Sequence, residues 1–365
     1  MGFTCGIIGL PNVGKSTLFN ALTQAGASAT NYAFTSAEPN IGVVSVPDPR
    51  LDAICELIPA ENKVPTTLKF VDIAGLVKGA SRGEGLGNKF LGSIREMSAI
   101  AHVVRCFEDE NVAHVSEKLD PLSDIEVINT ELLIVDLETL EKRQLKLQKL
   151  AKSGDKDARF QKELLEKLIV HLNEGNPARS MCFETQAESD FVASLSLLTQ
   201  IPVFYVCNLG DPSESTSDRV KQVEDFARQE NSQAVSLPAK LENEILEIED
   251  LEERKILADE MGMEESGLDS IIRAGYSLLH LVTFFTAGGK ENRAWTVREN
   301  AKAPQAAGVI HSDFEKGFIK AEVYNFNDLA KYKSEQKVKE AGLLRLEGKE
   351  YIVQDGDIMH FRFNV

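Results

Sequence analysis

Short apolar runs recur along the first two thirds of the chain, spaced so that a helix fits between one and the next. Residues 4–8, 43–46, 69–72, 102–107, 202–208 and 234–237 read as strands, with helical patterns between them. That alternation predicts a mostly parallel sheet with helices on both faces. Between residues 130 and 175 the period changes. Leu133, Leu137, Leu140, Gln144 and Leu147 step by four and three, as in the seam of a coiled coil. Ser153-Gly154-Asp155 reads as a turn, and Phe160, Leu164, Leu168 and Leu172 line a second helix. The pattern predicts a helical hairpin inserted into the α/β domain.

A second change follows residue 242. An acidic helical stretch over 242–265 and an amphipathic helix over 268–281 lead into strand-like runs at 281–285, 294–297, 320–323, 351–353 and 359–363. Gly288-Gly289, Gly308 and Gly356 punctuate these strands. They make a separate α+β unit of about 85 residues, an ordinary domain size. The expected division is therefore an α/β domain over 1–130 and 200–274, a helical hairpin over 131–199 and a C-terminal unit over 281–365.

The 365 residues are 43% apolar and 27% charged, an ordinary soluble composition. No apolar run approaches the ~20 residues that span a bilayer, and no basic region precedes an apolar core at the N-terminus. Gly2 invites a reading as a myristoylation site, but Gly6 stands where Ser or Thr is required. Cys5, Cys55, Cys106, Cys182 and Cys207 have no metal-type spacing and read as reduced thiols. The expected setting is the cytoplasm, with no membrane partner. A net charge of −17 excludes a chain that coats nucleic acid along its length. The charge is uneven: residues 281–365 hold 13 Lys and Arg against 12 Asp and Glu. On this reading the C-terminal unit is the part less repelled by RNA.

The chemistry is concentrated in Gly9-Leu10-Pro11-Asn12-Val13-Gly14-Lys15-Ser16, between the first strand and a helical pattern. Two glycines flanking four residues, then Lys-Ser, fit a phosphate-binding loop. Glycines let the backbone bend around phosphate oxygens, and the following helix adds its dipole. Lys15 can neutralise the β- and γ-phosphates, and the Ser16 hydroxyl can ligate Mg²⁺. Downstream, Asp72-Ile73-Ala74-Gly75 ends a strand. There Asp72 can hold Mg²⁺ through water, and the Gly75 N–H can meet a γ-phosphate. The glycine-rich run after Gly75 suits a switch ordered by that phosphate. In residues 31–40 either Thr35 or Ser36 can complete the Mg²⁺ shell. Asn208-Leu209-Gly210-Asp211 stands where a guanine reader has Asn-Lys-x-Asp, with Leu209 replacing the Lys and Asp211 keeping the carboxylate.

With these motifs the chain resembles the YchF, or Obg-like ATPase, family of the Obg branch of translation-factor GTPases. The resemblance rests on GLPNVGKSTLFNALT, DIAGLVKGASRGEGLGNKFL, HVVRCFEDENVAHV, DIEVINTEL, FFTAGGKENRAWT, APQAAGVIHSDFEKGFIKAEV and YIVQDGDIMHFRFNV, and runs nearly end to end. It implies an α/β P-loop NTPase fold with an inserted coiled-coil hairpin and a C-terminal β-grasp (TGS) domain. It also implies slow ATP hydrolysis with Mg²⁺ as a conformational switch on ribosomes, expected on the large subunit, with RNA contacts through the TGS domain.

Residue by residue, the expected nucleotide contacts are Asn12, Val13, Gly14, Lys15, Ser16, Thr17, Gly75, Asn208, Leu209 and Asp211, with Phe107 a candidate for stacking near the base or else an ordinary core phenylalanine. The resemblance implies Mg²⁺ contacts from Ser16, Ser36 and Asp72, and K⁺ beside Asn12 as in related cation-dependent GTPases. Leu76 stands where many relatives of the fold orient water with Gln; His114 matches a position implicated in hydrolysis, where an imidazole near neutral pKa can accept a water's proton. Asp211 departs from the family's Glu and leaves GTP open beside ATP. A GTP-specific switch, a nucleotide-gated scaffold and a small-molecule kinase are the competing readings. Phosphoryl transfer to an acceptor distinguishes the kinase, and partner binding that survives blocked turnover distinguishes the scaffold.

Overall fold

A computed structural model describes residues 3–25, 40–73, 86–109, 119–152, 155–263 and 266–364. In chain order, β1 (Thr4–Ile8), α1 (Lys15–Ala25), β2 (Asn40–Ser45), α2 (Pro49–Leu57), β3 (Asn62–Val64), β4 (Thr67–Asp72), α3 (Leu86–Arg95) and β5 (Ala99–Arg105) come first. Two long helices follow, α4 (Pro121–Lys152) and α5 (Lys156–Asn173). Then come α6 (Gln186–Ser194), β6 (Val203–Asn208), α7 (Asp218–Gln229), β7 (Ala234–Leu237), α8 (Ala239–Leu246), α9 (Leu251–Glu260) and α10 (Gly267–Leu278). The last stretch runs β8 (Leu281–Thr286), β9 (Glu291–Arg298), α11 (Ala303–Ile310), α12 (Ser312–Lys316), β10 (Phe318–Asn325), α13 (Phe326–Tyr332), α14 (Glu335–Glu340), β11 (Arg345–Glu347) and β12 (Asp357–Phe363).

The strands form two six-stranded sheets, in the orders β2-β4-β1-β5-β6-β7 and β11-β10-β12-β8-β9-β3. In the first sheet β1 pairs in parallel with β4 and β5, as does β6 with β5 and β7. Every residue of β5 and β6 is buried, which is why these strands read as mostly apolar runs rather than alternating ones. The amphipathic α10 packs against β6 and β7 through Leu268, Ile271 and Ile272. This is the α/β P-loop fold expected from the alternation.

The helical hairpin is present, with changed bounds. α4 begins at Pro121, ahead of the expected 130, and buries Ile125, Ile128 and Leu132 before the coiled-coil positions begin. Leu133, Leu140 and Leu147 pack with Leu164, Leu168 and Leu172, but Phe160 is 41% exposed; Ala158 and Leu165 fill the seam instead. At the hairpin root Asp136, fully buried, accepts from the N–H groups of Leu198 and Thr199, both at 2.8 Å, and from the Thr199 hydroxyl at 2.7 Å. Burial pushes its carboxyl pKa up against those hydrogen bonds. The acidic stretch over 242–265 is two helices, α8 and α9, because Asp250 caps a new start.

By its internal contacts the chain divides into two units: residues 3–43 with 69–278, and residues 44–68 with 279–365. The second is the β-grasp unit, and it takes in a segment that the sequence reading gave to the nucleotide domain. There β3 pairs in parallel with β9, and Leu51 and Ile54 of α2 pack with Phe285, Tyr324, Leu329 and Ile358. The Asn292 side chain, fully buried, donates to Ile58 O at 2.6 Å and accepts from Gly288 N at 2.8 Å. Two expected features differ. Residues 351–353 make only an isolated bridge, Ile352 to Lys302, and Gly308 lies inside α11 rather than between strands.

His102, in the middle of β5, lies 5.6 Å from the Tyr205 ring. Burial lowers its pKa to about 3, and the Arg179 and Lys15 cations add to the effect. The imidazole stays neutral in the fold while the unfolded chain protonates near 6.5. Its contribution is therefore complete above that pH and is lost as the pH falls towards 3. Between pH 7 and pH 5 the native chain should lose about 2 kcal/mol more stability than a His102→Phe variant. Urea unfolding at both pH values checks this; parallel losses count against it.

Candidate nucleotide-binding site

The site begins where β1 ends. Gly9 has φ +151°, and a Cβ there would lie 2.4 Å from Val103 O. Asn12 (φ +62°) and Gly14 (φ +97°) are also left-handed, so the loop turns back sharply before α1 starts at Lys15. At Gly14 a Cβ would lie 2.1 Å from Asn208 Nδ2. That space is taken for a reason. Asn208 closes β6 and is 5% exposed. Its amide donates to Val13 O at 2.9 Å and accepts from Ala239 N at 3.0 Å. One side chain thereby fastens the loop to the start of α8.

Lys15 is buried, and its ammonium donates to Leu10 O at 2.6 Å. Burial lowers its pKa, and the nearby Asp72 carboxylate opposes that shift. The Ser16 hydroxyl donates to Asp72 Oδ2 at 3.2 Å. A cation, a hydroxyl and a carboxylate thus converge on the N-terminus of α1, where free backbone N–H groups favour an anion. Ser16 and Asp72 are hard oxygen donors within reach of one another, so they fit a Mg²⁺ ion shared with phosphate.

Beside the loop opens a cavity of about 480 Å³, lined by Asn12, Gly14, Thr17, Phe107, Leu209 and Lys240 among others. Its Phe107 wall is held from behind. Arg105, 4% exposed at the end of β5, donates to Phe107 O at 3.2 Å and Asp109 O at 3.0 Å. Its guanidinium also lies 4.6 Å from the Phe107 ring centroid. Sequence reasoning missed Arg105; the available signal was a strong base closing a mostly apolar strand.

Of the expected contacts, the structure brings together Asn12, Val13, Gly14, Lys15, Ser16, Thr17, Asp72, Phe107, Asn208 and Leu209. It does not bring Asp211 to the cavity. That carboxylate accepts from Ser213 N at 2.9 Å and Ser213 Oγ at 2.6 Å, capping the turn Pro212–Thr216. The same bonds hold its pKa below the ordinary carboxylate value. Ser36, Gly75 and His114 lie outside the described residues. Among the described residues no three His, Cys, Asp or Glu side chains cluster as a metal site.

This fold and loop define a P-loop nucleotide-binding protein of the GTPase type. Residues 4–157 match the sequence profile described as "50S ribosome-binding GTPase", and residues 281–364 match the YchF-GTPase C-terminal profile, described as a protein of unknown function (DUF933). The chain is 55% identical over 365 residues to the ribosome-binding ATPase YchF of Haemophilus ducreyi, covering 100% of both chains. With its Bacillus subtilis counterpart it is 53% identical over 368 residues, again covering 100% of both. The solved structure of the Schizosaccharomyces pombe YchF GTPase superposes with a TM-score of 0.87 at 36% identity, covering 99% of this chain and 98% of that one. The chain belongs to the YchF family.

Asn208→Ala would leave Val13 O and Ala239 N without their partner and open a void behind Gly14. Nucleotide affinity should fall at least tenfold, about 1.4 kcal/mol, with a lower melting temperature. Titration with a fluorescent nucleotide analogue checks this; unchanged affinity would remove Asn208 from the site.

Proposed function

We propose that the chain is a ribosome-binding ATPase that uses ATP binding and slow hydrolysis as a conformational switch. The observation that carries the reading is the convergence of buried Lys15 and the Ser16–Asp72 pair on the start of α1, beside a cavity that has Phe107 and Leu209 in its walls. The names of the relatives above supply the ribosome. In this reading Lys15 would leave Leu10 O for the β- and γ-phosphates, Ser16 directly and Asp72 through water would hold Mg²⁺, and Thr17 and the loop backbone would orient the α- and β-phosphates. The bound ion would draw charge from the β- and γ-phosphate oxygens. By the resemblance, the Gly75 N–H would meet the γ-phosphate, Ser36 would complete the Mg²⁺ shell and His114 would hold the proton of the attacking water.

The base lies between Phe107 and Leu209. Asp211 does not line the cavity and its Oδ1 accepts from Ser213 N and Oγ, which argues for adenine over a guanine read by that carboxylate. We extend the proposal to K⁺ beside Asn12, a cytoplasmic setting, the large subunit as target and RNA contacts by the β-grasp unit. The S. pombe relative is described as a GTPase, so GTP is the second nucleotide to test.

Binding of ATP and GTP analogues with Mg²⁺, measured side by side, should favour ATP tenfold or more, about 1.4 kcal/mol. Equal or reversed affinity would return Asp211 to guanine reading. Lys15→Ala should weaken ATP binding at least a hundredfold, about 2.7 kcal/mol, and intact affinity would sink the phosphate-loop assignment. For His114→Ala the expected result is normal ATP binding with hydrolysis slowed more than tenfold; unchanged turnover excludes that role.

A further inference from the structure

The far end of the helical hairpin has a charge opposite to that of the chain. Residues 142–162 contain eight Lys and Arg and two Asp, a local +6 in a chain of net −17, so the remaining residues hold −23. The two acids are accounted for locally: Asp155 caps α5 and Asp157 lies in its first turn. Lys142, Arg143, Lys146, Lys149, Lys156 and Arg159 are all exposed. None of these six forms an ion pair among the described residues; the one in this stretch is Lys162 with Glu166, at 3.1 Å. Six unpaired cations gathered at a hairpin tip raise the local potential and repel one another, which a purely structural arm does not require.

Their placement is ordered. Leu133, Leu140 and Leu147 turn one side of α4 into the hairpin core. Lys142, Lys146 and Lys149 step by four and three along the opposite side, within one narrow stripe. At 1.5 Å rise per residue the stripe is about 10 Å long. A nucleic-acid strand presents a phosphate every ~3.4 Å of helix axis, so such a stripe spans about three of them. Phe160, 41% exposed beside Arg159, adds an apolar face on which a backbone sugar can rest.

We propose that this tip is an RNA-docking surface whose lysine stripe grips the phosphate backbone of a ribosomal RNA helix. The inference rests on the ribosome-binding reading for its partner. RNA fits better than an acidic protein segment, because it offers uninterrupted anions along the whole length of the stripe. Outside the tip, residues 281–365 come to +1 and the rest of the chain to −24, so the tip carries the strongest attraction for the same partner.

The test uses the full chain, a variant with Lys142→Glu, Lys146→Glu and Lys149→Glu together, and the corresponding triple-alanine variant. The probe is a fluorescent 20-base-pair RNA duplex, read by anisotropy from 50 to 200 mM salt, with co-sedimentation on purified ribosomes run beside it. Charge reversal should weaken duplex binding at least tenfold. In the triple-alanine variant the slope of log affinity against log salt should shrink by about 2–3, one contact per lysine, with basal ATP hydrolysis unchanged. Absent or lysine-independent duplex binding overturns the proposal, as does equal affinity for a polyglutamate peptide of matched charge. Ribosome binding that ignores the lysines also overturns it while leaving the ribosome reading intact. Lysine-dependent duplex binding without ribosome binding keeps the RNA-gripping surface and removes the ribosome from both readings.

Discussion

The nucleotide site depends on one buried amide. Asn208 is the last residue of a fully buried strand, so its position is set by the sheet rather than by the loops around it. From there it holds Val13 O with one end and Ala239 N with the other. Loss of a buried partner leaves a carbonyl or N–H unsatisfied at about 1–3 kcal/mol each. The glycine at position 14 follows from the same contact, since the amide occupies the place of a side chain there. Two loops that are distant in sequence are thereby fixed to one rigid strand end, and phosphate and base pockets share a single reference point. Arg105, at the end of the neighbouring strand, does the same for the Phe107 wall.

Much of this was legible in the sequence, for identifiable reasons. The phosphate loop is a local code of glycines, lysine and serine at fixed spacing, and its strand and helix flank it directly. The central strands β5 and β6 announce themselves as apolar runs, and Leu140, Leu147, Leu164 and Leu168 announce the hairpin by period. What escaped is long-range or depends on where a side chain points. β3 is three residues long, with Asn62 and Lys63 exposed, so it has no alternation to detect. The motif position of Asp211 suggested a base contact, whereas Ser213 two residues on offered its carboxylate nearer donors. Gly308 read as a break because glycine weakens a helix, yet α11 continues through it.

The hairpin illustrates how an extended element can remain well directed. Its root is anchored by Asp136, which satisfies two backbone N–H groups and one hydroxyl at full burial. Its length is held by a leucine seam that continues from the buried root of α4 to Leu147. The leucine seam carries the cations of the tip away from the buried root. The arrangement allows one protein to be strongly acidic overall and locally attractive to an anion.

The discontinuous makeup of the β-grasp unit bears on how the chain acquires its structure. Asn62 of β3 pairs with Glu291 of β9, 229 residues later. During synthesis the segment 44–68 emerges early, with Leu51 and Ile54 lacking the core they will enter, and waits while more than two hundred residues are made. Closing so long a loop costs entropy that local contacts cannot offset beforehand, and pairing over that separation is slow. The β-grasp unit is therefore the last to be completed. A fragment cut at residue 279 would lack an edge strand and the α2 side of its core, so the C-terminal region alone is an incomplete β-grasp unit despite its contiguous-looking sequence.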